Sequence, residues 1–215
     1  ALFCAPRKFI WGVAIMINAE SAMSRANEIS KLGLGKSTPN PIVGAVIVGN
    51  DGQIAGEGFH HSQDGGKHAE VVALSKAGER ARGTTLFVTL EPCNHIGKTP
   101  PCTEAIIAAG IKKVVFAVSD PNPIAAGGAQ KLVEAGIDVE HRESADLEFV
   151  QRAWLHKERT GRPLMIWKVA TTHDAKIAAS DGTSKWISNE VSRSDVQRLR
   201  RDSDAILVGT TTVIS

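Results

Sequence analysis

Cysteine is scarce in this 215-residue chain, which carries three. An odd and small count excludes a disulfide framework and points to a reducing, cytoplasmic compartment. Long apolar runs are missing too: none approaches the roughly 18 residues that cross a bilayer, so no membrane partner is expected. Charge of one sign is absent, since 25 Lys and Arg stand against 23 Asp and Glu for a formal charge of +2. Such a balance gives no footing for a polyanion, and no nucleic-acid partner is expected. The densest basic run, at 198–201, falls on an expected helix, where a charge cluster reads as a solvated face. Internal repeats and low-complexity tracts are also lacking. What remains, 42% hydrophobic and 22% charged residues, is the composition of an ordinary globular protein.

The two ends read oddly. The opening ALFCAPRKFIWGVAI lacks the basic start of a signal peptide, and Pro6, Arg7 and Lys8 interrupt its apolar run. Met16 is the expected start, with the first 15 residues an extension and Cys4 outside any pattern. The text stops just after the strand-like DAILVG, so the chain is expected to be a fragment.

Between the ends, strands and helices alternate. A helix is expected over 19–32, followed by a Gly/Ser/Pro/Asn loop through Pro41. The stretch IVGAVIVGNDGQIAGEGF reads as two strands around Asn50-Asp51-Gly52, a hairpin signal. Helices are expected over 68–81, 103–109, 125–135 and 145–159, with Gly110 and Gly136 as C-terminal stops. TTLFVTL, KKVVFAVS and IDVEHR are the strands between them. This order predicts a three-layer α/β/α domain over 17–160, its sheet mostly parallel beyond the hairpin. Residues 160–163 (TGRP) read as a linker. A second α/β pattern then runs over 163–215: strand PLMIWKVAT, a helix near 189–201 and strand AILVG.

The chemistry-bearing signal is His68-Ala69-Glu70, then Pro92-Cys93 and Cys102. A catalytic zinc takes three protein ligands and leaves one position for water, whose pKa it lowers toward about 7. One imidazole and two thiolates meet that need. Replacing a ring amine by oxygen requires a proton to leave water and reach the ring and the departing nitrogen, and Glu70 is spaced for that shuttle. His68 and Cys102 both open expected helices, whose N-termini favour thiolate over thiol. A lone buried Cys is usually packing, and a lone His-x-Glu is common. Their combination matches the H-x-E…P-C-x-x-C pattern of zinc deaminases, except that eight residues, NHIGKTPP, separate the cysteines.

That spacer carries a resemblance. Residues 89–95 (TLEPCNH) and 97–102 (GKTPPC), with Pro39-Asn40-Pro41, VGAVIV and Asp120-Pro121-Asn122-Pro123, closely resemble the deaminase half of the bifunctional riboflavin-biosynthesis deaminase/reductase family. Cytidine and tRNA-adenosine deaminases generally keep the short C-x-x-C. The resemblance implies a cytidine-deaminase-like fold that converts 2,5-diamino-6-ribosylamino-4(3H)-pyrimidinone 5′-phosphate to its uracil analogue with release of ammonia. It also implies zinc on His68, Cys93 and Cys102, Glu70 as proton donor, and a substrate pocket of Asn40, His60, His95, Lys98, Asp120 and Asn122. Self-association is implied as well. Read as residues alone, Asn40 serves equally as a turn former, and so does Asp120.

The later stretch resembles the start of that family's reductase domain, similar in fold to dihydrofolate reductase and dependent on NADPH. Lys168-Val169-Ala170, Lys176-Ile177-Ala178, residues 184–187 (SKWI) and 204–209 (DAILVG) carry it. The resemblance places Ala170, Trp186 and Thr212 at NADPH contacts, and Ser184 and Arg200 at substrate contacts. By themselves Trp186 reads as a core aromatic and Arg200 as a solvated charge. Where the family usually has S-L-D-G-K-I-A, this chain has Ala175 in place of the Gly. A positive φ there would cost about 1 kcal/mol. The expectation is a chain that deaminates and does not reduce. Two rivals remain: a zinc deaminase for nucleosides or tRNA, and a structural zinc in a nucleic-acid-binding module with His95 as fourth ligand.

Overall fold

The computed structural model describes residues 16–61, 66–97 and 100–214. The expected 15-residue extension with Cys4, the expected substrate residue Lys98, and Ser215 lie outside these.

Helix α1 (Ala19–Ser30) starts on an Asn18–Ser21 capping box and runs into a 3-10 turn over Lys31–Gly33. Strands β1 (Gly44–Val48) and β2 (Ile54–Phe59) form the expected antiparallel hairpin. Helix α2 (Ala69–Ala77) follows with a 3-10 turn, then β3 (Thr85–Val88), α3 (Cys102–Ala108) and β4 (Lys113–Phe116). Next come α4 (Gly128–Glu134), β5 (Asp138–His141), α5 (Ala145–Val150) and α6 (Arg152–Thr160).

The five strands order as β2-β1-β3-β4-β5, with β1 antiparallel to β3 and the pairs β3–β4 and β4–β5 parallel. Glycines show how helices cover both faces. A Cβ on Gly44 would stand 2.0 Å from the Ala26 carbonyl oxygen of α1, and one on Gly58 2.4 Å from that of Ala69 in α2. Gly58 pairs with Ala45, the neighbour of Gly44, so the two close approaches lie on opposite faces of the sheet. α1 and α2 therefore sandwich the sheet, as the three-layer expectation requires. The fully buried Val46, Ile47, Leu86, Val88, Val114 and Val115 form the centre of the core.

The structure corrects the sequence reading in three places. The helix expected over 145–159 breaks at Gln151, which is 2% exposed because its amide turns inward to donate to the Thr89 carbonyl at 3.3 Å. PLMIWKVAT and AILVG form no strand, and between 163 and 214 no described residue is buried. An apolar run becomes a strand only where another strand pairs with it, and neither finds one here. That segment carries α7 (Glu190–Arg201), as expected, and a short α8 (Thr210–Ile214) that was not.

Candidate metal centre and substrate cavity

The site gathers where β3 and β4 end and α2 and α3 begin. His68 is the N-cap of α2, extended at φ −73° and ψ 154°, and Glu70 sits in that helix's first turn. Cys102 is the first residue of α3, and Cys93 lies on the loop leaving β3. The Cys102 backbone N–H points at the Cys93 sulfur at 3.4 Å, and the Thr103 N–H donates to the Cys93 carbonyl at 3.3 Å.

The Nδ1 of His68 stands 3.0 Å from Cys102 Sγ and 3.4 Å from Cys93 Sγ, and the three donor atoms lie within 4.8 Å of one another. With Zn–N and Zn–S bonds of about 2.0 and 2.3 Å, donors of a tetrahedral zinc site stand about 3.5 Å apart. The set therefore fits zinc in chemistry and in spacing. Both sulfurs are free thiols and buried. Donation from the Cys102 thiol, aided by His68, pulls Cys93 down to about 4, while that pairing and burial push Cys102 up. Two thiols forced to share one proton are a site in want of a cation. His95 is absent from this cluster, so among the described residues no fourth ligand closes it.

Glu70 is 4% exposed, and burial pushes its carboxyl upward against the lowering effect of His68. It opens, with His68 and Cys93, onto a cavity of about 590 Å³ that Asn40, His60, His95, Asp120 and Asn122 also line. That volume suits a small organic molecule. Asn40 Nδ2 lies 3.1 Å from His60 Nε2, and His60 Nδ1 lies 3.0 Å from the Lys67 carbonyl. One neutral tautomer satisfies both: Nδ1–H donates to Lys67 and Nε2 accepts from Asn40. Burial lowers the His60 pKa, which favours that neutral form. The Nδ1 of His95 is buried without a partner, as a group awaiting a ligand would be.

The opposite wall was missed in the sequence. Trp154, Lys157 and Glu158 of α6 line the cavity, and Glu158 accepts from Asn122 Nδ2 at 3.2 Å. Their i, i+3, i+4 spacing signals one helix face, but nothing local says that the face borders a site. The cavity lip includes Thr38, whose hydroxyl donates to Asp204 at 2.8 Å.

Comparison with known proteins matches residues 16–118 to the family described as cytidine and deoxycytidylate deaminase zinc-binding region, and 163–215 to the RibD C-terminal domain. Riboflavin biosynthesis protein RibD of Mycobacterium tuberculosis (strain ATCC 25618 / H37Rv) is 50% identical over 198 residues, 91% of this chain and 58% of the relative. This chain belongs to the riboflavin-biosynthesis deaminase/reductase family. The Escherichia coli (strain K12) member is 46% identical over 91% of this chain and 53% of its own length. A crystal structure of a diaminohydroxyphosphoribosylaminopyrimidine deaminase/5-amino-6-(5-phosphoribosylamino)uracil reductase from Thermotoga maritima superposes with a TM-score of 0.84 at 44% identity. It covers 91% of this chain and 56% of that one. The chain thus spans little more than half the length of these relatives.

Within the stretch matched to the RibD C-terminal domain, Ala170, Ser184, Trp186 and Arg200 line a common cleft of about 300 Å³, with Lys168 and Arg193. The Arg193 guanidinium lies 4.5 Å from the centre of the Trp186 ring. Trp186 is 71% exposed, so its reading as a core aromatic is corrected. Thr212, on α8, is not among the cleft residues.

Proposed function

We propose that this chain performs the deamination step of riboflavin biosynthesis, on the diaminopyrimidinone ribosyl 5′-phosphate. The observation that carries the proposal is the His68–Cys93–Cys102 donor set beside a buried Glu70 at the floor of the cavity. Zinc held there supplies Lewis acidity that brings water toward ionisation at neutral pH. Glu70, buried beside the donor set, takes one proton from the attacking water to the ring nitrogen and then carries the remaining hydroxyl proton to the departing amine, so that ring C–NH2 plus water becomes ring N–H, C=O and ammonia. Asn40, held by neutral His60, keeps its carbonyl free for a ring donor. Asp120 and Asn122, tied by the Asn122 N–H to Asp120 Oδ1 at 2.8 Å, face the substrate from the other side. His95, with Lys98 close by in sequence, supplies donors to the phosphate.

Identity near 50% to riboflavin-biosynthesis relatives favours this substrate over a nucleoside or tRNA base. We further place the domain division at 17–160 and 163–215, with NADPH as the ligand of the second part in a full-length protein and a cytoplasmic location for the chain. The test is ammonia release from the diaminopyrimidinone ribosyl phosphate by zinc-loaded protein, beside cytidine and a Glu70→Gln variant. Release that falls by about 10²- to 10⁴-fold in the variant, with zinc still bound, and is absent with cytidine, is expected. Release from cytidine alone would overturn the substrate assignment.

A further inference from the structure

Glu91 stands between the metal loop and the substrate loop and lines the cavity beside Leu90 and Cys93, with a carboxylate that the zinc set does not use. Its backbone N–H donates to the Val118 carbonyl at 2.8 Å, carrying the β3–β4 pairing past the last strand residue. Its carboxylate then reaches in two directions. Oε2 accepts from the Asp120 backbone N–H at 3.3 Å, and Oε1 accepts from the Ala129 N–H at 3.0 Å. Ala129 lies in the first turn of α4, where backbone N–H groups have no partner within the helix. One side chain thus holds both ends of the loop that brings Asp120, Asn122 and Ala125 to the cavity.

The same loop is pressed onto the metal side. A Cβ on Gly128 would stand 1.7 Å from the Pro92 carbonyl oxygen, so the start of α4 rests against the peptide just before Cys93. The Asn94 N–H donates to the Ala125 carbonyl at 3.1 Å, and the Thr103 hydroxyl to Asn94 Oδ1, also at 3.1 Å. Metal loop and substrate loop are therefore one clamped unit, with the Glu91 carboxylate as its side-chain bridge.

We propose that Glu91 is a positioning residue that fixes the distance between the zinc ligands and the Asp120–Asn122 wall, and so sets substrate affinity. The proposal rests on the deaminase reading above. His68 and Cys102 sit on α2 and α3, and the Cys93 carbonyl is tied to Thr103, so the metal set has anchors of its own. At the Asp120 end, Glu91 shares the hold with Glu158, which takes the Asn122 side chain. Glu91→Gln keeps the shape but turns an N–H toward one of the two amides, so only one of the bonds survives.

The experiment pairs steady-state deamination kinetics with metal analysis and amide hydrogen exchange on zinc-loaded wild type and Glu91→Gln. One zinc per chain is expected in both. KM should rise about tenfold while kcat stays within about threefold, the scale of one charge-assisted hydrogen bond. Exchange at whichever of the Asp120 and Ala129 amides loses its bond should quicken. Glu91→Asp, which keeps two acceptors on a shorter stem, should give an intermediate KM. Unchanged exchange, an unchanged KM, or a loss that disappears when zinc is restored would each overturn the proposal. If wild type releases no ammonia, the deaminase reading fails on its own. Faster exchange at one of the two amides then still upholds the clamp, and unchanged exchange at both overturns it.

Discussion

Asp120 carries a carboxyl in a place that disfavours its charge. Burial pushes it up to about 6 from an ordinary 3.8, and the nearby charges of Glu91 and Glu158 add to the rise, against the Asn122 N–H that favours the anion. The consequence for stability has a definite sign. The unfolded chain loses this proton first, so stability from Asp120 is full below about 3.8, drains as pH rises toward about 6, and is level above. Asp120→Asn keeps an oxygen for the Asn122 N–H and removes the charge. In metal-free protein this variant should be more stable than wild type at pH 7 by about 1 kcal/mol, a figure discounted for the solvent that reaches the group. At pH 3 the difference should vanish. Urea unfolding at the two pH values measures it, and a variant less stable at pH 7 would contradict the account. The cost at neutral pH fits a residue kept for ligand contact rather than for the fold.

Elements matter because the candidate zinc donors come from three of them: the cap of α2, the loop after β3 and the start of α3. A cation there crosslinks parts of the chain that are distant in sequence, so its binding energy becomes folding energy. Saturating zinc, at about a thousand times its dissociation constant, should add about 4 kcal/mol to unfolding, and Cys93→Ser should abolish most of the gain. Thermal unfolding with and without a chelator is the measurement. The donor set was legible in the sequence because His-x-Glu and Pro-Cys are local patterns, and the caps and the Asn-Asp-Gly hairpin were legible for the same reason. The break at Gln151 was not, since it depends on a carbonyl 62 residues away, and the α6 wall was not, since it depends on where that helix packs. The Ala175 expectation was local and is realised: its φ is 62°. The turn it occupies is closed by Ala175 N–H to the Thr172 carbonyl at 3.0 Å and Thr172 N–H to the Lys176 carbonyl at 2.9 Å. Ala175→Gly removes a left-handed strain of about 1 kcal/mol, so both amides should exchange about fivefold more slowly.

At the scale of the molecule the two parts differ in what they bury. Residues of the first part supply the whole core, ending with Leu155, whereas no described residue from 163 to 214 is buried. Met165, Trp167, Leu207 and Ile214 are each at least 75% exposed. Ordering a residue costs about 1–2 kcal/mol of backbone entropy, and without burial nothing of similar size offsets it. The second part should therefore open freely while the first stays closed. Limited proteolysis of the 215-residue chain should cut beyond Gly161 first and leave a resistant piece that still binds zinc and releases ammonia. The same weakness bears on reduction. A cleft that binds NADPH must hold Ala170 and Trp186 in place, and a segment with no core cannot do so against its own entropy. The 215-residue chain should thus deaminate without consuming NADPH, followed as the loss of its absorbance in the presence of the deaminated product. Steady NADPH oxidation would show that the second part finds its core in another way, and early cutting inside the first part would show that the two are not independent.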